Sequence, residues 1–458
     1  MGADTTQYDV LIVGGGAAGL MAAGRAAGAG ARTLVLEKKD RTGRKLNITG
    51  KGRCNLTNAA LMESFLERFG PGARFLRPAF GHMGDKDLMA FMEGLGVPTV
   101  VERGSRVFPA SQKAGDVVAA MRDFARTSGA RIETDAPVRR IRAEEGAVTG
   151  VELKSGETRS AGAVILATGG ASYPATGSTG DGYAMAQELG HAITPIHPAL
   201  VPLETAGEAA PKLQGLSLYN AGVSVFINGK KKRRAFGELL FTHFGVSGPV
   251  ILTLSREIVS AQLQDREVEL RLDLKPALDE TKLENRLLRE LDQRGGQHMG
   301  NLLRGLLPRK LVAVCLEQTG IPEDRTGNQV SARERKALRT WLKDFRLPVT
   351  GYRSFHEAIV TAGGVRLKEV DPKSMASHLI EGLYFAGEVL DIAADTGGYN
   401  LQAAFSTGSL AGISAAAGAR RREIGDRSEA RRRKEEKKIR EKKKRGVARA
   451  EALRRGEE

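Results

Sequence analysis

The feature that most constrains the fold of this 458-residue chain is a glycine cluster between an apolar run and a helical pattern. The run VLIV (10–13) predicts a buried strand, GGGAAG follows at 14–19, and LMAAGRAAGAG then predicts a helix. In such a G-x-G-x-x-G, Gly14 permits the tight turn, Gly16 admits a pyrophosphate to the backbone, and Gly19 lets helix and strand pack closely. The helix N-terminus adds N–H donors for the anion. We therefore predict a Rossmann-type, dinucleotide-binding unit.

A second strand supports this prediction. The segment RTLVLE ends at Glu37, 18 residues after Gly19. A carboxylate near this distance accepts hydrogen bonds from the ribose hydroxyls of a bound dinucleotide. We therefore predict Glu37 as the ribose acid.

Two later segments resemble further strand ends of the same sheet. The segment GLYFAGEVLDIAADTGGYNLQAAFSTG (382–408) combines a strand, two glycine clusters and a helix from about Asn400. It predicts that the chain returns to close over one long cofactor, and the helix N-terminus there would stabilise negative charge on a reduced flavin. The segment VILATGG (164–170) predicts a further buried strand, for which an ordinary strand end without a ligand is an equal alternative.

The net charge of +16 is concentrated at the C-terminus. Residues 420–458 carry 18 Lys and Arg against 9 Asp and Glu, and they show no apolar stripe. We predict a solvated helix or a disordered tail. Weak binding to nucleic acid through counterion release stays open, although no aromatic residues are interleaved to stack on bases.

Composition limits the cellular setting. No window reaches the roughly 18 apolar residues of a membrane span, and the first residues lack a secretory signal. The two cysteines, Cys54 and Cys315, have neither CxxC nor metal-ligand spacing. We expect a reduced, cytoplasmic protein with no metal site, and we expect Cys54 to be a packed small side chain.

Seven motifs, in order, resemble those of a bacterial flavoprotein family. They are DVLIVGGGAAGL, GRKLNITGKGRCNLTN, RVFPASQKA, ATGGASYPATGSTGDGYAMAQELGH, FTHFGVSGP, TAGGV and LYFAGEVLDIAADTGGYNLQAAFSTG. The chain is similar, over about residues 8–412, to the BaiN-like, aminoacetone-oxidase-type NAD(P)/FAD-dependent oxidoreductases. One departure stands at Ile392-Ala393-Ala394, where many members carry a small residue or Gly near the flavin, so substrate preference should not be copied from any one member.

The resemblance implies non-covalently bound FAD and an α/β fold. A Rossmann-type FAD domain with a parallel sheet would be interrupted by an inserted α+β domain. We place the first FAD segment at 1–195, the insertion that caps the flavin at 196–361, the returning FAD segment at 362–419 and the basic tail at 420–458. Composition changes at His197-Pro198, after which strand patterns precede helix patterns.

The resemblance also assigns roles in cofactor binding. The GRKLNITGKGRCN loop would run along the pyrophosphate toward the flavin, and Val138 would offer its backbone to the adenine edge. Arg44 and Lys45 would neutralise phosphate or flavin charge, although a solvated basic turn is the plainer alternative. The full predicted cofactor set is Gly14, Gly16, Ala17, Ala18, Gly19, Glu37, Lys38, Gly43, Arg44, Lys45, Asn47, Thr49, Asn55, Val138, Thr168, Gly169, Gly170, Gly387, Glu388, Gly397, Gly398, Tyr399, Asn400 and Leu401.

Four residues are candidates for the chemistry. His243 in FTHFGVSGP would shuttle a proton beside the hydride, and His197, Tyr173 and Arg106 are further candidates. Each has a structural alternative: a hydrogen-bonded His in the insertion, a His at a domain crossing, a turn Tyr before Pro174, and an Arg paired on the surface.

The resulting functional hypothesis is an FAD-dependent oxidoreductase that acts on a small organic substrate through hydride transfer at flavin N5. A substrate with a C=C bond next to a carbonyl would suit this chemistry. NAD(P)H is the expected donor, and it would dock transiently because no second G-x-G-x-x-G is present. Two alternatives stay open: an FAD-dependent RNA-modifying enzyme, against which the lack of an evident reactive Cys argues, and a non-enzymatic flavin-binding redox sensor. The sequence does not predict the oligomeric state.

Overall fold

A computed structural model describes residues 7–422, so most of the basic tail predicted at 420–458 lies outside the described residues. The strands are β1 (Tyr8–Val13), β2 (Thr33–Leu36), β3 (Thr57–Asn58), β4 (Thr99–Glu102), β5 (Arg106–Pro109), β6 (Arg131–Glu133), β7 (Val138–Glu144), β8 (Ala147–Leu153), β9 (Thr158–Leu166), β10 (Ile193–Ala199), β11 (Leu203–Thr205), β12 (Ser217–Ile227), β13 (Lys230–Phe241), β14 (Gly245–Ser247), β15 (Val268–Asp273), β16 (Phe345–Tyr352), β17 (Val360–Val365) and β18 (Leu383–Phe385).

The helices are α1 (Ala17–Gly28), α2 (Arg44–Gly52), α3 (Met62–Glu67), α4 (Ala73–His82), α5 (Asp85–Gly94), α6 (Ala114–Thr127), α7 (Asp181–Glu188), α8 (Ala209–Lys212), α9 (Pro249–Gln262), α10 (Glu280–Gln293), α11 (Met299–Leu302), α12 (Arg309–Thr319), α13 (Ala332–Lys343) and α14 (residues 399–422).

The first structural unit is built on a parallel sheet in the order β6-β2-β1-β9-β18. The strands β1, β2 and β18 are buried along their whole length apart from Asp9, as expected for a parallel sheet covered on both faces. A hairpin of β7 and β8 continues antiparallel from the N-terminal end of β9. The α/β class and the Rossmann-type unit predicted from the sequence are confirmed.

The glycine-rich helix α14 packs directly on α1. A Cβ at Gly408 would lie 2.4 Å from the Ala18 carbonyl oxygen, and one at Gly412 would lie 2.4 Å from the Ala22 carbonyl oxygen. Only glycine allows backbones to approach this closely, so these two positions fix the helix pair. The C-terminal segment therefore returns to the first unit and packs against its N-terminal helix.

The second structural unit is a closed antiparallel barrel in the order β11-β14-β13-β12-β15-β16. This unit has a hydrophobic core of its own, to which α9 contributes Ile251, Leu254 and Ile258. The helices α10, α12 and α13 contribute further leucines. The closure is uneven, because the short strand β14 pairs with β13 only at Leu240 and Phe241. The sequence pattern of strands followed by helices holds in part: α9 lies between β14 and β15, and β16, which closes the barrel, follows the last helix and was not predicted.

The two units are joined through β10 and β17, which pair antiparallel with each other. The predicted domain bounds, 196 and 361, fall within these two strands. Because entry and exit strands pair, the barrel is inserted at one point of the first unit. The bounds themselves stay a prediction. Among residues 7–422, no helix is both long enough and apolar enough to cross a bilayer.

Candidate cofactor and active site

One long cavity lies against the glycine turn and the ends of the parallel strands. Its wall combines the β1–α1 turn, the end of β2, helix α2, the loop after β9 and the start of α14. These elements are far apart in sequence and converge because parallel strands present their carboxyl ends at one edge of the sheet. The cavity is therefore a topologically expected dinucleotide site.

The three glycines of the turn have different surroundings. Gly14 has a φ of +105°, and a Cβ there would lie 2.6 Å from the Ala167 carbonyl oxygen. A Cβ at Gly19 would lie 1.9 Å from the Gly14 carbonyl oxygen. At Gly16, by contrast, a Cβ would meet no atom within 4 Å, and this residue lines the cavity. Gly14 and Gly19 are thus needed by the fold, whereas the space at Gly16 is left for a ligand.

Glu37 stands at the end of β2 with both carboxylate oxygens engaged by the backbone. The Gly15 N–H donates to Oε2 at 2.8 Å, and the Lys39 N–H donates to Oε1 at 2.9 Å. Burial raises the pKa of Glu37 against the lowering effect of these hydrogen bonds. Each oxygen keeps a free lone pair, so the side chain can also accept from a ribose hydroxyl.

Two polar atoms of the cavity wall are buried without a hydrogen-bond partner. They are Thr168 Oγ1 and Asp181 Oδ1. The other oxygen of Asp181 accepts from Lys38 Nζ at 2.8 Å. Both atoms face the protein interior, and a Cβ at Gly182 would lie 2.0 Å from Thr168 Oγ1. The cavity fits FAD through the open space at Gly16, where a pyrophosphate would meet the backbone, and through Glu37, which can accept from a ribose hydroxyl.

Helix α2 carries the basic loop and is interrupted at its C-terminal end. Gly50 and Lys51 adopt left-handed backbone conformations, with φ of +57° and +59°. The break turns Thr49 and Gly50 onto the cavity wall. Arg44 also lines the cavity, and its Nη1 pairs with Asp40 Oδ1 at 2.6 Å.

Lys45 and Glu388 form an ion pair on the wall, with 2.6 Å between Nζ and Oε2. Lys45 Nζ also donates to Ser172 Oγ at 2.8 Å, and Glu388 Oε1 accepts from the Thr361 N–H at 2.9 Å. This network connects α2, the loop after β9, β17 and the segment after β18. It therefore holds together the four chain segments that form the middle of the cavity.

Asn55 positions the turn that precedes α14. With its amide oriented to satisfy its neighbours, it donates to the Thr57 and Val107 carbonyl oxygens and accepts from the Gly398 N–H at 3.0 Å. A Cβ at Gly398 would lie 2.3 Å from the Thr57 carbonyl oxygen. The helix N-terminus is thereby held against β3, with Gly397 and Gly398 on the cavity wall.

The structure brings most of the predicted cofactor set to one cavity. On the wall are Gly14, Gly16, Ala17, Ala18, Glu37, Lys38, Gly43, Arg44, Lys45, Thr49, Asn55, Val138, Thr168, Gly169, Gly387, Glu388, Gly397, Gly398, Asn400 and Leu401. Four lie off the wall: Gly19 and Gly170 are packing glycines, Tyr399 packs on Phe65, and Asn47 is exposed beside α6. The role of the whole set in binding FAD stays a prediction.

Sequence reasoning missed several wall residues. Thr176, Gly177, Ser178 and Asp181 line the cavity, and their signal was the glycine-rich run ATGSTGDG that follows Gly170. Leu200, Ile359 and Val360 had no signal of their own, because their position depends on the pairing of β10 with β17. Leu200 has a φ of +52°, a conformation that is strained for a branched side chain.

None of the four candidates for chemistry lines the cavity. His243 is exposed in the β13–β14 turn, with its ring against Phe244, and Arg106 is exposed at the start of β5. The Tyr173 N–H donates to the Phe355 carbonyl oxygen at 2.9 Å, in a left-handed turn.

His197 lies on β10, opposite Ala362. Its Nε2 is buried without a partner, and burial lowers its pKa. The imidazole is therefore neutral near pH 7, and a neutral ring with an unpaired nitrogen is a weak proton donor.

Both cysteines are free and buried, and burial raises the pKa of each thiol to about 12. A thiol with so high a pKa is inert as a nucleophile at neutral pH. Cys54 is thus a packed side chain, as predicted.

Comparison with known proteins identifies the family. The sequence-family model described as the HI0933-like protein Rossmann domain matches residues 8–414. A 3-dehydro-bile acid delta(4,6)-reductase of Clostridium scindens is 33% identical over 88% of this chain and 98% of its own length. A ribosomal RNA dihydrouridine synthase of Escherichia coli is 30% identical over 88% of this chain and 96% of its own length.

A solved structure shows the same fold at low identity. The open conformation of a flavocytochrome c3 fumarate reductase superposes with a TM-score of 0.52 and 18% identity, covering 91% of this chain and 79% of that one. This likeness concerns the fold alone.

Proposed function

This chain belongs to the HI0933-like Rossmann family and is an FAD-dependent oxidoreductase, and from that premise we propose that it reduces a carbon–carbon double bond conjugated to a carbonyl group. The reactions for which the two relatives are named share this chemistry. A delta(4,6)-reductase of a 3-dehydro compound saturates double bonds conjugated to a ketone. Dihydrouridine is uridine whose ring double bond, next to a carbonyl, has been saturated. This shared chemistry carries the proposal.

When bound, FAD supplies the hydride chemistry, and the protein supplies orientation and electrostatics. We propose that the wall residues at the glycine turn bind the pyrophosphate and that Glu37 binds the ribose. The N–H groups that begin α14 and the Lys45 ammonium would favour negative charge at the other end of the cofactor. Glu388 holds Lys45 in place through their ion pair.

The substrate would enter where the wall is apolar. Leu200, Ile359 and Val360 line the cavity at the junction of the two structural units. A flat conjugated ring fits such a surface because binding there buries apolar area.

The proton for the second carbon must come from a group that reaches the substrate. His243, His197, Tyr173 and Arg106 lie off the wall, so for a small acceptor we propose solvent water as the source. NAD(P)H stays the proposed donor, docking transiently in the cavity mouth. Two free, buried cysteines without a disulfide support a cytoplasmic location.

Two classes of substrate agree with this proposed reaction. A small enone agrees with the reductase relative, whereas a uracil ring within RNA agrees with the dihydrouridine synthase relative. The lack of a reactive cysteine, which argued against RNA modification, does not separate them, because both classes need only a hydride and a proton.

The test is anaerobic reoxidation of the reduced flavoprotein. Protein reduced by dithionite is mixed with a conjugated cyclic enone, with its non-conjugated isomer and with buffer, and flavin absorbance is followed by stopped flow. We expect rapid reoxidation with the conjugated compound only, because hydride addition requires the carbonyl to accept charge. Uridine-containing RNA is tested in the same way as the second acceptor class.

Equal rates with both isomers, or reoxidation by neither the enone nor RNA, would contradict the proposed function. A flavoprotein that only senses redox state would show the second result.

A further inference from the structure

We propose that the outer face of the β12–β13 hairpin is a docking surface for single-stranded RNA that leads to the cavity mouth. The surface, here called the hairpin surface, consists of Tyr219, Phe236 and the run Lys230–Arg234. This inference rests on the proposed function, since it names RNA as the class of substrate that carries the conjugated ring.

The hairpin surface is strongly basic. Five cations follow one another at its tip, and Lys230, Lys231 and Lys232 are exposed. Within the described part of the chain, none of these three lysines forms an ion pair. Arg234 Nη2 lies 3.3 Å from Asp273 Oδ2, so its charge is partly offset. Three unpaired lysines on a strand end suit a phosphate backbone, whose binding releases counterions.

Two large aromatic side chains stand beside these charges. Tyr219 is 72% exposed and Phe236 is 63% exposed. Leu218 pairs with Leu239 and Ala221 pairs with Gly237, so Tyr219 lies in a β-bulge opposite Glu238. Glu238 is two residues from Phe236 along β13. Phe236 itself is opposite Gly222, which has no side chain to cover it. Exposed rings on two paired strands give a face on which bases can stack.

The hairpin surface touches the wall of the cavity. Arg233 Nη2 lies 4.0 Å from Asp395 Oδ2, and Asp395 directly precedes Thr396, a wall residue. Arg68, from the first structural unit, approaches the same carboxylate oxygen at 3.4 Å. Phe236 is three residues from Arg233 along β13, about 10 Å at the rise of a strand, and this odd separation places their side chains on opposite faces of β13. RNA stacked on Phe236 would therefore reach the cavity around the edge of β13, which β14 pairs only at Leu240 and Phe241.

The combination of exposed lysines and exposed aromatic rings favours RNA over a small acceptor as the partner of the hairpin surface. A steroid-sized enone is bound within the cavity and needs no surface about 10 Å away. RNA needs both a backbone contact and a base contact, and the hairpin supplies the two from one element. A second copy of the chain and an anionic membrane are the other possible occupants, and the test below separates them.

The experiment measures binding of a fluorescent 12-nucleotide oligouridine to the full-length FAD-loaded protein by anisotropy. The aromatic variant is Tyr219→Ser with Phe236→Ser, and the lysine variant replaces Lys230, Lys231 and Lys232 by Ser. A matched control replaces three exposed cations elsewhere on the barrel unit, namely Arg304, Arg309 and Lys310, by Ser. FAD content and circular dichroism confirm that each variant is folded.

The aromatic variant should weaken binding at least tenfold and leave the salt dependence unchanged, because stacking involves no counterion release. The lysine variant should lower the slope of log K against log salt by about 0.7 for each lost phosphate contact. The control variant should bind like wild type.

Equal binding by all variants would overturn the inference. Hairpin substitutions that change only the sedimentation of the protein would also overturn it, because they would indicate self-association. Substitutions that change only the binding to phosphatidylserine vesicles would overturn it in favour of a membrane partner. Enone reoxidation by wild-type protein is measured in parallel. If it occurs while the RNA result is negative, the docking surface is wrong and the proposed function stands.

Discussion

At the scale of single residues, the glycines of the β1–α1 turn separate the demands of the fold from those of the cofactor. Gly16 is the N-cap residue directly before α1, with a φ of −82° and a ψ of −166°, an extended conformation that any residue adopts. A side chain there would meet only cavity space. Gly19, in contrast, faces the Gly14 carbonyl oxygen across a gap that excludes a Cβ.

We predict that Gly16→Val yields folded protein without FAD, because its methyl groups occupy the space where the pyrophosphate would meet the backbone. Gly19→Ala should instead lose stability, by about 1–3 kcal/mol or more, from overpacking. Flavin absorbance after heat release and urea unfolding measure the two effects. Fully yellow Gly16→Val protein would show that the first motif is not the pyrophosphate site.

Glu37 gives a second prediction at this scale. Glu37→Ala should weaken FAD binding by about 1.5–3 kcal/mol through loss of a charge-assisted hydrogen bond. Because burial raises the pKa of Glu37 in the FAD-free protein, the carboxyl takes up a proton at a higher pH than an exposed glutamate. FAD affinity should therefore be full above that pKa and fall as the pH decreases through it.

The measurement is the FAD dissociation constant from pH 8 down to the lowest pH at which circular dichroism shows folded protein. Glu37→Gln, which cannot ionise, should show a flatter pH dependence and weaker binding at pH 8. A wild-type affinity that falls no more steeply with decreasing pH than that of Glu37→Gln would remove Glu37 as the ribose acid.

At the scale of elements, the sequence predicted what local patterns encode. The strand–glycine–helix motif of β1 and α1 and the second strand β2 follow from periodicity and turn chemistry within one segment. The ion pair of Lys45 with Glu388 joins residues 343 positions apart, and the wall residues Leu200 and Ile359 depend on the pairing of β10 with β17. Such long-range placements have no periodic signal, so sequence patterns could not give them.

The barrel turn that carries His243 illustrates the same limit. The motif FTHFGVSGP placed a histidine in an apolar, glycine-containing element, which suggested a proton donor. In the fold this element is the β13–β14 turn, and the imidazole is exposed against Phe244. The apolar residues around it serve the barrel core, which includes Phe241 and Val246.

We now expect His243→Gln to change the rate of enone reduction by no more than about twofold, whereas a positioned general acid contributes about 10²–10⁴-fold. FAD content and reoxidation by a one-electron acceptor serve as controls. A hundredfold slower reoxidation by the enone alone would restore His243 as the acid and imply that the turn moves toward the cavity.

At the scale of the whole molecule, the chain returns to its first structural unit before the basic segment begins. Helix α14 continues through residue 422, and Arg422 Nη1 donates to the Gly162 carbonyl oxygen at 2.7 Å. Arg420 donates to the Ala29 carbonyl oxygen. The first residues of the predicted tail at 420–458 are therefore docked on the first unit, which composition alone did not indicate.

This difference predicts two distinct truncations. Removal of 423–458 should leave FAD content and melting temperature near wild type, because all cavity residues lie between 13 and 404. Removal of 420–458 should keep FAD but cost on the order of 1 kcal/mol of stability, through loss of the arginine contacts. Loss of FAD from the shorter deletion would show that the basic segment contributes to the site.

The central claim is that one FAD in this cavity saturates a double bond conjugated to a carbonyl. Its most direct test is a single anaerobic turnover, with dithionite-reduced protein and excess conjugated substrate, followed by mass spectrometry of the product. We predict one product molecule per FAD, heavier than the substrate by two hydrogen atoms, and none from Gly16→Val protein. Reoxidised flavin without a saturated product, or product formed equally by the FAD-free variant, would contradict the claim.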